Sequence, residues 1–144
     1  MNSTTIKECR LIELQKFGSE RRGNLTQITN GKDIPFEIHR VFYLYDIPAG
    51  AERGAHAHRE LNQLIVPVSG SFDVVLSDGR AVETFNMNKP YCGLFIPEFI
   101  WGKLENFSAG SICLVFASER FDEESYIRSY DQFLTEKGIS NNQK

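Results

Sequence analysis

The chain has 144 residues, of which 41% are hydrophobic and 24% charged, and its formal net charge at pH 7 is −3. This length and composition are typical of one folded domain with a single core, and they exclude a disordered chain. The lysines and arginines form no basic run, which argues against a nucleic-acid surface, and no apolar stretch reaches the roughly 18 residues of a membrane helix.

The predicted elements, in chain order, are mostly short strands. The segment 37–47 is rich in aromatic and β-branched residues, which favour a partly buried strand. Two apolar runs follow within 63–85, and Asp78-Gly79 predicts a hairpin turn. Further strands are predicted at 91–97 and 111–118.

Only the C-terminal segment has helical spacing. Phe121, Tyr126, Tyr130 and Phe133 recur near that period, and Asp122 is a possible N-cap. A frayed tail is expected from about residue 135 to residue 144. The pattern as a whole predicts an all-β sandwich or barrel with a short C-terminal helix, as a single domain over residues 1–144.

Three cysteines, Cys9, Cys92 and Cys113, form no Cys-x-x-Cys pair. An odd number without that spacing favours reduced structural thiols over disulfides or a zinc site. The N-terminal segment also lacks the apolar core of an export signal. We therefore expect a cytoplasmic protein.

The most informative stretch is "RGAHAHRELNQ", residues 53–63, which carries a His-x-His pair. The spacing of Gly50, His56, His58, Gln63 and Gly70 resembles the first motif of the cupin superfamily. The resemblance implies a small β-barrel or jelly roll. In metal-binding cupins, His-x-His and a later Glu supply three ligands from neighbouring strands.

The second cupin motif should carry a proline, a fourth ligand histidine and an asparagine, and it falls on "PEFIWGKLEN", residues 97–106. Pro97 and Asn106 match. Phe99 replaces the usual glycine, and Gly102 takes the place of the ligand histidine. The second motif is therefore present without its metal-binding side chain.

These departures argue against a catalytic metal. The carboxamide of Gln63 is a weak donor and Gly102 has no side chain, so two of four ligands are lacking. His56 and His58 share strand parity and should project to one face, towards the barrel interior. One interpretation is a pair of core histidines with satisfied hydrogen bonds. The flanking glycines favour a working pocket, in which imidazoles act as acid and base near neutral pH.

Three longer segments resemble the nucleotide-sugar 3,4-ketoisomerases: "RRGNLTQITNGKDIPFEIHRVFYLYD" (21–46), "RGAHAHRELNQLIVPVSGSFDVVLSDG" (53–79) and "FDEESYIRSYDQF" (121–133). The resemblance runs roughly from Ile12 to Phe133. It implies a homodimeric cupin without a cofactor that converts thymidine diphosphate (dTDP)-4-keto-6-deoxyglucose to its 3-keto isomer through an enediol. Such a product leads to deoxyamino sugars. We expect the segment from Cys9 to Phe17 to cross between subunits.

The resemblance also implies roles for individual side chains. His56 and His58 would be the acid–base pair, with His56 acting on carbon and His58 on oxygen, and Tyr43 would donate a hydrogen bond to the enediolate. Arginine suits a diphosphate because of its fork geometry. The expected substrate-binding residues are Arg53, Arg40, Arg22, Gln63 and Trp101.

Two other functions remain open. One is a nucleotide-sugar 3,5-epimerase, a related barrel enzyme that also uses metal-free base catalysis, although its histidine–aspartate pairing and tyrosine acid are not evident around His56. The other is a non-catalytic sugar-binding cupin. Turnover of a nucleotide sugar would separate an enzyme from a binding protein.

Overall fold

The structure is a computed structural model that describes residues 2–139. The strands of the first half are β1 (Arg10–Glu13), β2 (Lys16–Ser19), β3 (Gly23–Thr26), β4 (Arg40–Leu44), β5 (Arg53–His58) and β6 (Gln63–Ser69). Those of the second half are β7 (Phe72–Ser77), β8 (Val82–Met87), β9 (Cys92–Ile96), β10 (Trp101–Glu105), β11 (Ile112–Ala117) and β12 (Tyr126–Ile127). One α-helix, α1 (Tyr130–Lys137), and two short 3₁₀ helices (Ile6–Glu8 and Glu123–Ser125) complete these elements.

Two five-stranded sheets pack face to face. The strand order is β1-β9-β6-β11-β4 in the first sheet and β12-β5-β10-β7-β8 in the second, and all pairs are antiparallel. The predicted all-β architecture with a short C-terminal helix is confirmed. The turn at Asp78-Gly79 joins β7 to β8, as predicted, and its Asp78 carboxylate accepts hydrogen bonds from the amides of Arg80 and Ala81.

The main core lies between the sheets because their strands alternate inward apolar and outward side chains. In β11, Cys113 and Val115 are buried, whereas Leu114 and Phe116 lie on the outer face. Fully buried side chains from both sheets fill the interior, among them Phe72, Val74, Leu76, Leu94 and Val115. The first sheet has a second apolar layer on its outer face, packed against the loop between β3 and β4.

The hairpin of β2 and β3 stands apart from both sheets. Its two strands pair only with each other within residues 2–139, and nearly all their residues are exposed. Phe17 and Leu25, which are paired across the hairpin, are 48% and 57% exposed. An isolated two-stranded hairpin is marginally stable in water, so these apolar side chains lack the cover that such a hairpin needs.

The C-terminal region differs from the sequence-based expectation. Asp122 does act as an N-cap, but of the 3₁₀ helix Glu123–Ser125, where its side chain accepts from the amide of Glu124. Tyr126 then pairs in β12, and α1 begins only at Tyr130, capped by Ser129. Phe121 and Tyr126 therefore lie before the helix. Their spacing matched a helical period although the chain there is extended.

The first residues of the predicted frayed tail are helical instead. Residues 135–137 complete α1, and the αL conformation of Gly138 ends it. The remainder of the predicted tail, 140–144, lies outside the described residues. No helix in the described part of the chain is long and apolar enough to cross a membrane.

Candidate active site

The two histidines of the His-x-His pair lie on one wall of the barrel interior. Both are on β5, with ring centroids 4.7 Å apart and ring planes at 86°. His58 is only 6% exposed, and His56 is half-buried above it. The pair faces a cavity of about 180 Å³ between the sheets, here called the barrel cavity. Its polar lining side chains are Arg53, His56, His58, Gln63, Lys103 and Tyr126.

A β-bulge brings Arg53 into the same cavity as the histidines. In the pairing of β5 with β10, His56 lies opposite Gly102 and Gly54 lies opposite Lys103, so Ala55 is the extra residue. Ala55 adopts a left-handed conformation with φ of 61°, which is uncommon outside glycine. Strict alternation would point Arg53 away from the even-numbered histidines. The bulge instead allows Arg53 to line the cavity at its rim.

Burial keeps both imidazoles neutral. It lowers the pKa of His58 from its ordinary value of 6.5 to about 3, with further lowering by His56, Arg40 and Arg128. Burial also lowers the pKa of His56, and Arg128 acts in the same direction. Hydrogen bonding to Gly54 opposes this change in His56. Two neutral imidazoles can each accept a proton at one nitrogen while donating from the other.

A residue absent from the sequence-based site completes this wall. Tyr126 lies directly opposite His58 in the pairing of β12 with β5. Its ring centroid is 4.9 Å from that of His56 and 4.3 Å from that of His58. The signal was available in the Tyr-Ile-Arg segment of the family resemblance, but assigning the segment to a helix separated Tyr126 from the histidines.

A second cavity of about 440 Å³, here called the side cavity, adjoins the first and shares His58 and Tyr126 with it. Arg40 lines the side cavity and contacts the rings of Phe42 and Phe121 at 5.0 and 5.5 Å. The Nε atom of Arg40 is buried without a hydrogen-bond partner among the described residues. An unpaired buried donor on a cationic group favours an anionic ligand. The larger cavity is lined by arginines and carboxylates, whereas the smaller one holds both imidazoles together with Arg53 and Lys103.

Gln63 lines the barrel cavity, but Tyr43 and Trp101 lie outside it. Tyr43 is 60% exposed and contacts Tyr45 on the outer face of β4, whereas the adjacent Phe42 faces the cavity. Trp101 packs on Tyr130 and Phe133 of α1 and does not line the barrel cavity. The sequence alone did not show which face of β4 and of β10 points into the barrel.

Arg22 lies at the turn of the β2–β3 hairpin, where its backbone amide donates a hydrogen bond to Ser19 Oγ. Arg22 is exposed. It does not line either of the two cavities around the histidines. Within one chain, the structure therefore does not bring Arg22 to the two histidines.

The donor set around His56 and His58 does not fit a cupin metal. Within residues 2–139, no three side chains of histidine, cysteine, aspartate or glutamate are grouped closely enough to hold an ion. The two remaining ligand positions of the motif carry Gln63 and Gly102. Phe99, at the usual glycine of the second motif, has φ of 59°, a left-handed conformation that glycine adopts more readily than phenylalanine.

Comparison with known proteins gives a consistent result. The FdtA family model (WxcM-like, C-terminal) matches residues 7–138. A TDP-4-oxo-6-deoxy-alpha-D-glucose-3,4-oxoisomerase from Aneurinibacillus thermoaerophilus is 37% identical over 126 residues, which cover 88% of this chain and 90% of the relative.

Two crystal structures are also similar. A 3,4-ketoisomerase from Helicobacter canadensis superposes with a TM-score of 0.87 at 40% identity, covering 91% of this chain and 98% of that one. The sugar 3,4-ketoisomerase QdtA from Thermoanaerobacterium thermosaccharolyticum, in complex with TDP, has a TM-score of 0.89 at 33% identity, covering 92% and 96%.

Proposed function

The chain belongs to the FdtA family, and we infer that it is a 3,4-ketoisomerase of TDP-linked 4-keto-6-deoxyglucose. The observation that carries this assignment to individual residues is the pair of neutral imidazoles on one wall of a sugar-sized cavity. The reaction class is that of the relatives similar over most of their length.

The reaction moves a ketone from C4 to C3 without net change in atoms or electrons. A base removes the C3 proton, and the electrons form an enediolate whose oxygen becomes the O4 hydroxyl. A proton is then returned to carbon at C4 while the O3 proton leaves and the ketone forms at C3. Two carbon transfers and two oxygen transfers are needed along one edge of the sugar.

The histidines are suited to these transfers because of their position. We assign the carbon transfers to His56 and the oxygen relay to His58, which lies deeper in the barrel. A neutral imidazole is ready to act as base, and its conjugate acid then supplies the proton to C4. Their ring separation of 4.7 Å lets both reach neighbouring carbons of one ring.

The diphosphate requires cations beside this wall. Arg53 lies at the rim of the barrel cavity next to Lys103, and Arg40 lies in the adjoining side cavity. Arg53 is our first choice and Arg40 the second, since a guanidinium can bind phosphate oxygens in pairs. The unpaired Nε of Arg40 supports its involvement.

We further propose that the chain acts in the cytoplasm as a homodimer that needs no metal or other cofactor. Pairing with a second copy is supported by the uncovered β2–β3 hairpin and by exposed side chains at edge strand β4, which are Val41 and Tyr43 within the strand and Tyr45 just after it. Cys9 is buried, and β1 is already paired with β9, so the hairpin is the better candidate to cross than the whole segment 9–17.

Solvent-isotope incorporation tests the proposed reaction. In deuterated water, the enzyme should convert TDP-4-keto-6-deoxyglucose to the 3-keto isomer with deuterium at C4, because imidazoles open to water exchange between the two carbon transfers. Proton NMR of the product gives both the ketone position and the label. Binding of TDP without any turnover would instead support a sugar-binding cupin, and epimerisation at C3 or C5 would support an epimerase.

A further inference from the structure

Tyr126 makes ring contact with both members of the histidine pair. Its ring meets that of His56 at an interplanar angle of 55° and that of His58 at 65°. The two imidazoles themselves are nearly perpendicular. The three rings therefore form one cluster in which each ring limits the rotation of the other two, because edge-on aromatic contacts are favourable and directional.

The strand that carries Tyr126 has only two residues and is held by external bonds. Arg59, which directly follows β5, binds Glu136 of α1 through Nε and Nη2 at 2.8 Å each. Its Nη1 atom donates to the carbonyl oxygens of Glu124 and Tyr126. One guanidinium thus ties helix α1 and strand β12 to the end of the strand that carries the histidines.

The outer side of the Tyr126 ring is also occupied. Arg128 lies over the ring at 4.4 Å from its centroid and pairs with Glu123 through two hydrogen bonds of 3.0 and 2.9 Å. Phe121 contacts the ring at 5.7 Å. Tyr126 is therefore held from several sides, and its ring cannot turn away from the histidines without breaking these contacts.

Tyr126 also lies between the two cavities. It lines the barrel cavity and the side cavity, as does His58. A smaller side chain at this position would join the cavities and admit water to the buried face of His58. The ring thus preserves both the orientation and the dry surroundings of the imidazoles.

We propose that Tyr126 is a positioning residue that fixes the orientation of His56 and His58 and closes the wall between the two cavities. This inference rests on the proposed acid–base role of the histidines. The role belongs to the ring and not to the hydroxyl, because the contacts with both imidazoles are ring contacts. A misplacement of reacting groups by about 1 Å can cost on the order of 100-fold in rate, so the loss of the ring should appear in kcat.

Three substitutions test the proposal. Tyr126→Phe keeps the ring and should retain kcat within about twofold. Tyr126→Leu and Tyr126→Met remove the ring, and kcat should fall on the order of 100-fold with little change in KM. Met fills more of the space, so it serves if the Leu protein fails to fold. Tyr130→Leu is the matched control, since Tyr130 contacts Trp101 and Phe133 and neither histidine.

NMR titration of labelled imidazoles gives a readout independent of turnover. In the ringless variants, the pKa of His58 should rise towards 6.5 as water reaches it, whereas Tyr126→Phe and Tyr130→Leu should leave it low. Ringless variants with wild-type kcat and an unchanged His58 pKa would overturn the proposal. Equal losses in Tyr126→Phe and Tyr126→Leu would also overturn it, because they would assign the role to the hydroxyl. If the wild-type protein did not isomerise the sugar, the proposed function would fail, and the titration would still test the positioning.

Discussion

Gly102 lies directly opposite His56 in the pairing of β10 with β5. A Cβ atom added at Gly102 would come within 2.9 Å of Leu76 Cδ2, a side chain that lines the barrel cavity. Position 102 therefore faces the cavity, where a metal-binding cupin carries its fourth ligand. Glycine accommodates the Leu76 side chain at this point and leaves no side-chain donor opposite His56.

The first prediction concerns metal. Extended dialysis against a chelator should leave kcat unchanged, because two of the four ligand positions carry Gln63 and Gly102. Elemental analysis before and after dialysis is the accompanying measurement. About one transition metal per chain, removed together with activity, would refute acid–base catalysis by the imidazoles alone.

The second prediction concerns the imidazoles. His56→Asn keeps some hydrogen bonding but removes the titrating nitrogen, so kcat should fall on the order of 10²–10⁴-fold. His58→Asn should also be severe, though less so where water can carry the oxygen protons. The affinity of both variants for TDP, measured by calorimetry, should stay near the wild-type value. This control would show that the binding site is intact. A His56→Asn protein with wild-type turnover would end the proposed mechanism.

The third prediction concerns stability against pH. The pKa of His58 is about 3 in the folded chain and near 6.5 when unfolded, so the unfolded chain binds more protons between these values. The contribution of His58 to the free energy of unfolding should therefore be constant above pH 7 and should decrease as the pH drops below 6.5. From pH 7.5 to 5, wild type should lose on the order of 1–2 kcal/mol more than His58→Asn in urea unfolding. Equal losses in the two proteins would contradict the low pKa.

The fourth prediction concerns the diphosphate. Arg53→Ala should raise KM for the TDP-sugar about 10–100-fold, as expected for a lost charged hydrogen bond, with a smaller effect on kcat. Arg40→Ala should also raise KM, and it should raise the pKa of His58 because the positive charge of Arg40 lowers it. Arg10→Ala is the control, since Arg10 lies over Phe95 on the outer face of the first sheet. Unchanged KM in both site variants would show that other groups bind the diphosphate.

The fifth prediction concerns assembly. Light scattering should give the mass of a dimer at micromolar concentration, because the β2–β3 hairpin exposes Phe17 and Leu25. Replacing both by serine should shift the equilibrium towards monomer without unfolding the barrel, as followed by circular dichroism. A monomer at all concentrations would refute the dimer.

The fold could be predicted from the sequence further than the site could. Short apolar runs separated by turn residues were enough to predict the strands, because the alternation of apolar and polar side chains is a local property of each strand. The helix was correctly predicted at Tyr130 and Phe133, but the part of the segment before Tyr130 was misassigned, because Phe121 and Tyr126 match a helical period by coincidence. The extended conformation of Tyr126 depends on pairing with β5, which is a tertiary contact.

The site depends on which face of each strand points inward. His56 and His58 share parity, so their common orientation followed from spacing alone. For β4 and β10 the spacing left the inward face open, and the structure places Phe42 and Gly102 inside while Tyr43 and Trp101 lie outside. Arg53 lines the cavity only because of the bulge at Ala55, and no pattern in the sequence predicted that bulge.

The bulge at Ala55 makes residue count, and not only residue type, a determinant of specificity. A regular strand of the same length would turn Arg53 to the outside, whereas deleting Ala55 would remove only the extra residue and keep Arg53 two ladder positions from His56, on the same face. One additional paired residue between Arg53 and His56 would instead turn Arg53 to the outside and remove the cation that we assign to the diphosphate, while the two histidines stay in place. The register of this strand therefore sets whether the cation assigned to the diphosphate lies beside the histidines, so an insertion there would change nucleotide binding while the proton chemistry persists.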